Sequence, residues 1–491
     1  MREVSSEKNQ AAGLEGAAGA ASLAGNIAAG ASAAAAAAAE ASTTAASPPG
    51  ARSGLSKRLA RGGSISFLIN SAGMGLAMVL QIVLARMLGA AGYGIYAFVT
   101  TVVTFMTFPV KLGFDTAILR LTSAYRVNGQ WPLVKGLLQR SNQISLALSL
   151  TALAGGLLYL YGFGDEGWTV RNVTYAVGFA TIPLLTLATL RQSALQALKD
   201  VLFAQMPEKI LRPVLTIGFL VGAVAMGWKA DAGVAMICFA LAVIVSYVVG
   251  AFVLSRRLRP HTAGIEPAYE TRSWLKLSNS LMLNAGMYLV LGQLNVLMMG
   301  IFVGETESGI FSAAVRLATL VSFMLTAINM TASPLISESY AKHDFRTLQQ
   351  VCTSSGRAGF AFAAVVFLYF VFLGKWTLGL FGADFTAAYP ALLILAFGQL
   401  FSAFCGQSGT VATMTGRQNV LTKVLAVAAV MNAALNFLLI PWLGMTGGAL
   451  AATIAILFWK TATVYLVLQK PGVQTLALAP IPQRRGENTS Q

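Results

Sequence analysis

The chain has 491 residues, of which 56% are hydrophobic and 11% are charged, and its mean hydropathy is +0.68. So few charged side chains cannot cover the surface of a water-soluble protein of this length, which excludes a soluble globular enzyme. The formal net charge of +16 resembles that of nucleic-acid-binding proteins, but we assign the positive charges to loops on one side of a membrane and expect no nucleic-acid partner.

Apolar runs of about 20 residues recur along the chain, and each is long enough to cross roughly 30 Å of hydrocarbon as an α-helix. They predict an all-α polytopic membrane protein with about 12 transmembrane helices. The predicted spans are residues 64–85, 93–113, 141–162, 173–190, 213–228, 233–254, 279–303, 309–333, 358–374, 387–409, 420–440 and 446–468.

The order of these spans divides the chain into five predicted segments. The first is rich in Ala and Gly and contains too few large apolar residues to form a core. The segments are a disordered cytoplasmic tail (1–62), an N-terminal lobe of six spans (63–256), a cytoplasmic linker (257–278), a C-terminal lobe of six spans (279–468) and a cytoplasmic C-terminal tail (469–491).

The distribution of Lys and Arg predicts the orientation of the chain. The flank before the first span, five alternate connecting segments and the C-terminal tail together carry 26 Lys and Arg residues, whereas the six opposite loops carry 4. Because cytoplasmic loops are enriched in Lys and Arg, we expect both termini on the cytoplasmic side of the membrane. The side with 26 basic residues is called the basic side below.

One connecting segment on this side, residues 191–212, has apolar residues at helical spacing between charged ones. The pattern predicts an amphipathic helix that lies on the inner leaflet. The apolar stripe consists of Leu195, Leu198, Leu202 and Met206.

The two halves of the chain share a glycine-bearing motif between spans. Residues 84–96 join the first two spans, and residues 299–311 join the seventh and eighth spans 215 residues later. Internal symmetry of this kind is frequent in transporters built from two related bundles. The aligned pairs are Gly89 with Gly304, Gly94 with Gly309, Ile95 with Ile310, and Tyr96 with Phe311.

The acidic residues argue against cation exchange. All 18 Asp and Glu residues lie in tails, loops or span ends. A cation antiporter usually needs a carboxylate in mid-membrane, because it exchanges an ion or a proton in a dry site. This weakens the interpretation of the chain as a drug or cation antiporter.

The basic residues near the spans are candidates for binding an anion. Arg316 lies about seven residues into the eighth span, roughly 10 Å deep, where a guanidinium should face a watery cavity or an anion unless it extends to the surface. Arg86 ends the first span, as an anion ligand or as an interface anchor. Lys111, Asp115 and Arg120 cluster at the base of the second span, as an inner gate or as anchors of the basic side.

Amide side chains within corresponding spans are candidates for contact with sugar hydroxyl groups. Hydrogen bonding between helices is the alternative, because amides are costly when they face lipid. These residues are Asn70 and Gln81 in the first span and Asn284, Gln293 and Asn295 in the seventh. The scattered cysteines and two lone histidines show no metal-ligand spacing, so we expect no metal, no cofactor and no catalytic residue.

Several segments resemble the bacterial polysaccharide and oligosaccharide flippases of the O-antigen repeat type. The resemblance extends over roughly residues 60–470. The segments that carry it are residues 84–96, residues 309–317 with Ser333-Pro-Leu-Ile-Ser-Glu-Ser-Tyr340, and residues 431–450.

This resemblance implies membership of the multidrug/oligosaccharidyl-lipid/polysaccharide exporter superfamily, with two pseudo-symmetric six-helix lobes in a V around a central cavity. It implies that alternating access flips a polyprenyl-diphosphate-linked glycan for polysaccharide, exopolysaccharide or lipopolysaccharide biosynthesis. Arg316 and Arg86 would hold the diphosphate. Asn295 stands where the family often has Asp, which puts ion coupling at that position in doubt. Implied partners are membrane lipids and the polymerase, chain-length and export proteins of a polysaccharide pathway.

Two other functions remain open at this point. A drug or cation antiporter of the same superfamily would have the same fold, and a membrane glycan polymerase would need a larger outer loop or a patterned catalytic acid. Lipid-II flippases of the superfamily tend to have fourteen spans, so a predicted count of twelve favours the glycan-repeat flippases.

Overall fold

A computed structural model describes residues 53–164, 167–469 and 473–477, without the side chains of residues 53–67, 284, 330, 331 and 334. Over these residues the protein is all-α, as predicted. The helices are α1 (Ser53–Val110), α2 (Phe114–Val127), α3 (Trp131–Phe163), α4 (Val170–Ala197), α5 (Val201–Met206), a π-helical turn (Pro207–Leu211), α6 (Arg212–Ala225), α7 (Ala232–Thr262), α8 (Thr271–Phe302), α9 (Glu305–Ala341), α10 (Phe345–Gly379), a 3₁₀ turn (Ala383–Ala388), α11 (Tyr389–Phe404), α12 (Ser408–Met414) and α13 (Gln418–Gln469).

Helix α1 begins earlier than the sequence predicted. The predicted disordered tail extends to residue 62, but the helix starts at Ser53, so the last part of that prediction is wrong. No proline lies between Ser53 and the first span, so none prevents the helix from starting within the predicted tail. The rest of the predicted tail, residues 1–52, lies outside the described residues.

Two helices are folded back on themselves at a glycine. The backbone leaves helical geometry at Gly89 in α1, where φ is 69°, and at Gly444 in α13, where φ is 54°. Tyr93 donates a hydrogen bond of 2.9 Å to Gln81, which is 12 residues away. In a straight helix these residues would be about 18 Å apart, so the two parts of α1 lie side by side.

The number of membrane passes is consistent with the prediction. Within the described residues, nine helices are long and apolar enough to cross a membrane. Two of these nine are the folded helices α1 and α13, and each contains two predicted spans. When each is counted as two passes and the fifth predicted span is added, the number agrees with the twelve expected.

The fifth span begins earlier than predicted, and a π-helical turn lies within it. Helix α5, the π-turn and α6 follow one another without a break from Val201 to Ala225. At about 1.5 Å per residue this run extends for about 37 Å, which is enough to cross the hydrocarbon. It is called the interrupted helix below.

The predicted amphipathic connector at residues 191–212 is therefore wrong. Its first part completes α4, and its second part belongs to the interrupted helix. Leu202 and Met206 of the predicted apolar stripe are exposed, whereas Ala204 and Gln205 are buried. The break after α4 rotates the second part relative to the first, so the stripe does not form one face.

The described residues form two compact units. Unit 1 contains those up to Leu289 together with Gly304–Gly309 and Leu380–Gly382, and unit 2 contains Val290–Val303, Ile310–Gly379 and those from Ala383 onward.

Helix α4 is central to unit 1, where it packs against α1, α2, α3 and α7. Its buried hydroxyl groups are satisfied within the helix, since Thr174 donates to Val170 O at 2.6 Å and Thr186 donates to Ile182 O at 2.8 Å. Bonding of this kind lets polar residues face other helices without unpaired donors.

The predicted cytoplasmic linker packs against the start of α3 within unit 1. Lys135 donates to Ile265 O at 2.8 Å, and the amide of Ala268 donates to Pro132 O at 3.1 Å. Beside this contact, Trp274 is buried with aliphatic residues of α2, α3 and α4 and donates to the hydroxyl of Tyr125 at 3.1 Å. The basic side of unit 1 thus has its own apolar core.

The segment between the eighth and ninth predicted spans is mostly helical, and only a short connector separates α9 from α10. Asp344 caps α10, because its carboxylate accepts from the amide of Thr347 at 3.0 Å. Hydrogen bonds from the Thr347 hydroxyl and amide lower the pKa of the Asp344 carboxyl below its ordinary value.

Unit 2 includes a short piece of the predicted C-terminal tail, residues 473–477. Val473 and Ala477 are buried. Gln349 of α10 bonds the backbone of Gln474 in both directions, at 2.6 and 2.7 Å, and the amide of Ala477 donates to Phe404 O at 3.0 Å. This segment joins α10 to the end of α11.

Glycine at position 406 permits that contact, and we expect Gly406→Ala to destabilise the protein. Its φ of +61° costs a non-glycine residue roughly 1–2 kcal/mol, and the added Cβ would meet the carbonyl oxygen of Thr475. Gly416→Ala is the matched control, because its φ is +78° but a Cβ would meet nothing within 4 Å. Thermal unfolding of the purified protein should show the larger fall in Tm for Gly406→Ala, and equal falls would contradict the packing argument.

Candidate functional site

The glycines aligned in the two repeats meet in unit 1. A Cβ on Gly309 would come against the backbone of Gly94, and a Cβ on Gly94 would lie 2.5 Å from the carbonyl oxygen of Glu305. Glycine at both positions therefore lets the two hairpins approach backbone to backbone, which is how small residues act between membrane helices. The glycines that align in the sequence repeat therefore also touch in the structure.

Charged residues surround this glycine contact. Glu305 accepts a hydrogen bond from Arg171 Nε at 3.0 Å and from the Tyr175 hydroxyl at 2.7 Å. Both donors belong to the start of α4, so the turn between α8 and α9 is tied to the first half of the chain. These residues lie at the end of unit 1 opposite its predicted basic side.

Arg86, predicted to hold a diphosphate, lies at the same end. It is exposed, and its Nε donates to the carbonyl oxygen of Leu380 at 2.7 Å. Gln81, predicted to contact sugar, is buried and accepts from Tyr93. In this structure both side chains bond to other parts of unit 1.

The predicted inner gate is only partly assembled. Lys111 Nζ lies 3.4 Å from Asp115 Oδ2, in an i,i+4 pair, while Arg120 is exposed and takes no part in that pair. The turn that carries Lys111 is close-packed, because Ser278 donates to the carbonyl oxygen of Leu112. The structure therefore joins the base of the second predicted span to the start of α8.

Asn70 lies in a polar group that includes the interrupted helix. Its Nδ2 donates to Gln205 Oε1 at 3.3 Å, and Lys209 Nζ donates to its Oδ1. The side chain of Gln205 is buried. Asn70 is thus a bridge between α1 and the π-helical turn.

An ion cluster beside this group was missed by the sequence analysis. Glu208, on the π-turn, accepts a hydrogen bond from Arg191 Nη2 at 2.9 Å and forms a second ion pair with Arg212. Arg191 also donates to the carbonyl oxygens of Ser246 and Tyr247, at 2.8 and 3.0 Å. The side chains of Arg191, Glu208 and Arg212 are only 4%, 11% and 18% exposed.

The cluster has a net positive charge, because two guanidinium groups face one carboxylate and Lys209 lies on the same turn. Among the described residues, the Nε atoms of Arg191 and Arg212 have no hydrogen-bond partner. A π-turn within a helix is frequent at functional positions. Here it directs Glu208 and Lys209 toward α4 and α1.

Unit 2 contains a cluster of buried amides around Asn295. Asn436 Nδ2 donates to Asn295 Oδ1 at 2.6 Å and to Asn432 Oδ1 at 3.0 Å. Asn436 Oδ1 and Asn432 Nδ2 lack a partner within the described part of the chain. The cluster joins α8 to α13, so Asn295 has the helix-joining contact that was the alternative to sugar binding.

Arg316 lies in unit 2 on α9, between buried residues on the same helix. It is half-buried, and Thr319 donates to its carbonyl oxygen at 2.6 Å. Within the part of the chain that the structure describes, its guanidinium forms no ion pair with an acid. Gln293 is exposed on α8, and the side chain of Asn284 is not among those described.

Lys460 is a second cation inside a predicted span of unit 2. It is buried on α13, and its Nζ lies 4.6 Å from the centre of the Trp459 ring. Nothing in the sequence distinguished it from a lysine that extends to the membrane surface. The described residues contain no group of three or more His, Cys, Asp and Glu that could hold a metal ion.

Comparison with protein families gave two matches. The family model described as polysaccharide biosynthesis protein matches residues 59–340, and the MatE family model matches residues 281–438. Together they extend over most of the helical part of the chain.

Comparison with individual proteins agrees with the family matches. The chain is 22% identical over 406 residues to the probable low-salt glycan biosynthesis flippase Agl15 of Haloferax volcanii, with 81% of each chain covered. Its fold resembles that of the lipid II flippase MurJ in an inward closed conformation, with a TM-score of 0.61, 14% identity and coverage of 82% of this chain and 87% of MurJ. It also resembles the Vibrio cholerae MATE transporter VcmN, with a TM-score of 0.60, 16% identity and coverage of 85% and 97%.

We expect Glu208→Gln to destabilise unit 1 strongly. Removal of the carboxylate leaves two buried guanidinium groups side by side, and breaking a buried ion pair on one side costs about 3–5 kcal/mol. The control is Glu338→Gln, since Glu338 is 53% exposed in its pair with Lys342 and contributes less than about 1 kcal/mol. Thermal unfolding of both variants measures the difference.

A second variant separates charge from packing in the same cluster. Glu208→Gln combined with Arg212→Gln removes one cation with the carboxylate, so it should recover part of the stability lost in Glu208→Gln alone. If Glu208→Gln unfolds at the wild-type temperature, the cluster does not carry the energy that we assign to it.

Proposed function

The chain belongs to the polysaccharide biosynthesis protein family, and from this premise we propose that it flips a polyprenyl-diphosphate-linked oligosaccharide across the cytoplasmic membrane of a bacterium. The protein is a multi-pass membrane transporter or flippase of the multidrug/oligosaccharidyl-lipid/polysaccharide exporter superfamily. The proposed cycle is alternating access, with both termini cytoplasmic. The flipped glycan would enter polysaccharide, exopolysaccharide or lipopolysaccharide biosynthesis.

The observation that carries this proposal is the position of Arg316. A half-buried guanidinium on an apolar helix, without an acid partner among the described residues, has a charge that is only partly compensated. Because its planar fork of donors matches the oxygens of a phosphate, a diphosphate is a suitable counter-ion. The attraction would offset the cost of bringing a diphosphate into surroundings of low dielectric constant.

Arg86 has a different role in the proposal. Its Nε is already bonded to Leu380 O. The same contact holds the segment Leu380–Gly382 within unit 1. Arg86 would therefore assist Arg316 only in a state in which this contact is rearranged.

The amide residues would contact the sugars in the proposed cycle. Gln293 is exposed and has its donors and acceptors accessible, whereas Asn70, Gln81 and Asn295 already bond to neighbouring helices. We therefore rank Gln293 first among the sugar-contacting candidates. Polymerase, chain-length and export proteins remain proposed partners.

The antiporter alternative is less favoured by the arrangement of charges. The buried carboxylate of Glu208 is paired with two arginines, and Asn295 contributes an amide to its cluster. A site for a cation needs excess negative charge or oxygen ligands with little competing positive charge. The described polar groups instead carry excess positive charge around Glu208 and no net charge around Asn295.

We expect depletion of the protein to cause polyprenyl-diphosphate-linked oligosaccharide to accumulate on the cytoplasmic face of the membrane. Arg316→Ala should fail to relieve the accumulation, and Arg316→Lys should relieve it in part, because lysine keeps the charge but loses the planar fork. Arg346→Ala is the control, since Arg346 is an exposed arginine of unit 2 at the start of α10. Sidedness is measured by the accessibility of the glycan to an impermeant probe in oriented vesicles.

Each outcome assigns the function differently. Full rescue by Arg316→Ala keeps the flippase and removes this arginine from the diphosphate site. Accumulation on the outer face indicates a polymerase, and the absence of any accumulation favours the antiporter.

A further inference from the structure

A basic cavity lies in unit 1, away from the glycine contact. It has a volume of about 580 Å³, within the usual range for small-ligand pockets. Four helix ends meet around it: the end of α2, the start of α3, the end of α4 and the end of α7. All four belong to segments that the Lys and Arg distribution assigns to the basic side.

The charges that line the cavity do not balance. Arg126, Lys199 and Arg257 contribute three positive charges, and Asp200 contributes one negative charge. Arg257 Nε bonds Asp200 Oδ2 at 2.7 Å, so this pair is internally compensated. Within the described residues, Arg126 and Lys199 form no ion pair, which leaves an excess of two positive charges at the cavity.

The remaining wall of the cavity is formed by two stacked aromatic rings. The rings of Trp131 and His261 stack with their centres 4.3 Å apart and their planes 6° from parallel. Trp131 is also the first residue of α3, a helix of 33 residues whose N-cap, Gln130, provides no side-chain cap. The positive end of the α3 dipole therefore adds to the charge of the lining.

Lys199 is held in a strained backbone conformation beside the cavity. Its φ is +66°, a left-handed value that costs a residue with a Cβ roughly 1–2 kcal/mol. Glycine or asparagine would occupy this position at the end of α4 with less strain. The conformation of Lys199 therefore lowers the stability of the folded protein, and strained backbone positions of this kind are frequent at binding sites.

We propose that this cavity binds a phosphate group through Arg126 and Lys199, with Arg257 and the start of α3 completing the positive wall. Two sources carry this chemistry: the headgroup of an anionic phospholipid on the basic side of the membrane, and a free phosphate. The stacked rings provide an apolar shelf beside the charges, which fits the glycerol portion of a headgroup. This inference does not depend on the identity of the transported glycan.

The test uses the full chain and measures its thermal unfolding. In detergent, inorganic phosphate is titrated against sodium chloride at matched ionic strength. In lipid nanodiscs, phosphatidylcholine is compared with phosphatidylcholine containing phosphatidylglycerol. Ligand that binds only the folded state raises Tm, and the dependence on concentration gives an apparent affinity.

Three variants make the test specific. Arg126→Gln with Lys199→Gly should weaken the apparent affinity at least about tenfold, because two charge-assisted contacts are lost. Lys199→Gly alone should respond less to phosphate while its Tm without phosphate does not fall, since glycine relieves the positive φ. Arg256→Gln is the control, because Arg256 is an exposed neighbour of Arg257 and does not line the cavity.

The outcomes distinguish the two sources and the failure of the proposal. A rise in Tm with phosphatidylglycerol that the double variant loses supports a lipid headgroup, and a rise with inorganic phosphate that it loses supports a free phosphate. If neither raises Tm, or if the double variant responds as the wild type does, the cavity is not a phosphate site. Flipping by the wild-type protein is measured separately, so failure here leaves the proposed transport function unaffected.

Discussion

A buried charge among apolar helices must have a partner, and the basic side of unit 1 is built around this requirement. Arg191 is enclosed by α4 and α7, and its guanidinium is neutralised by Glu208 and capped by two carbonyl oxygens of α7. The π-helical turn is what brings Glu208 to this position, while Lys209 on the same turn bonds Asn70 of α1. The polar side chains of the π-turn thereby connect it to α1, α4 and α6, and Arg191 extends the network to α7.

The opposite end of unit 1 depends on the absence of side chains. Gly94 and Gly309 allow backbone contact between the two hairpin repeats, and the carboxylate of Glu305 then reaches Arg171 and Tyr175. The Glu305 hydrogen bonds depend on the glycine contact, since a Cβ at Gly309 would separate the backbones and move the carboxylate away from its donors.

The sequence predicted the features that arise from periodicity and composition. Hydrophobic runs located the spans, and the glycine-bearing motif located the turn at Gly89, where the two parts of α1 meet. The alignment of Gly94 with Gly309 predicted a repeat, although it could not indicate that the two glycines touch. Glu208 was assigned to an amphipathic connector outside the spans, and its burial depends on partners at positions 191 and 212. The packing of residues 473–477 could not be predicted from the sequence either, since it depends on hydrogen bonds between the backbone of Gln474 and the side chain of Gln349.

The polar groups inside unit 2 indicate the sign of charge that this part of the protein tolerates. Asn295, Asn432 and Asn436 form a neutral cluster, and they offer dipoles of both orientations without net charge. Arg316 and Lys460 are basic residues, and Lys460 is buried. A positively charged solute would meet repulsion from both cations in surroundings where Coulomb interactions are weakly screened. An anionic group would gain from the same two charges, and the neutral amides would neither oppose it nor compete for it. The balance of charge in unit 2 therefore agrees with the anionic cargo that we propose.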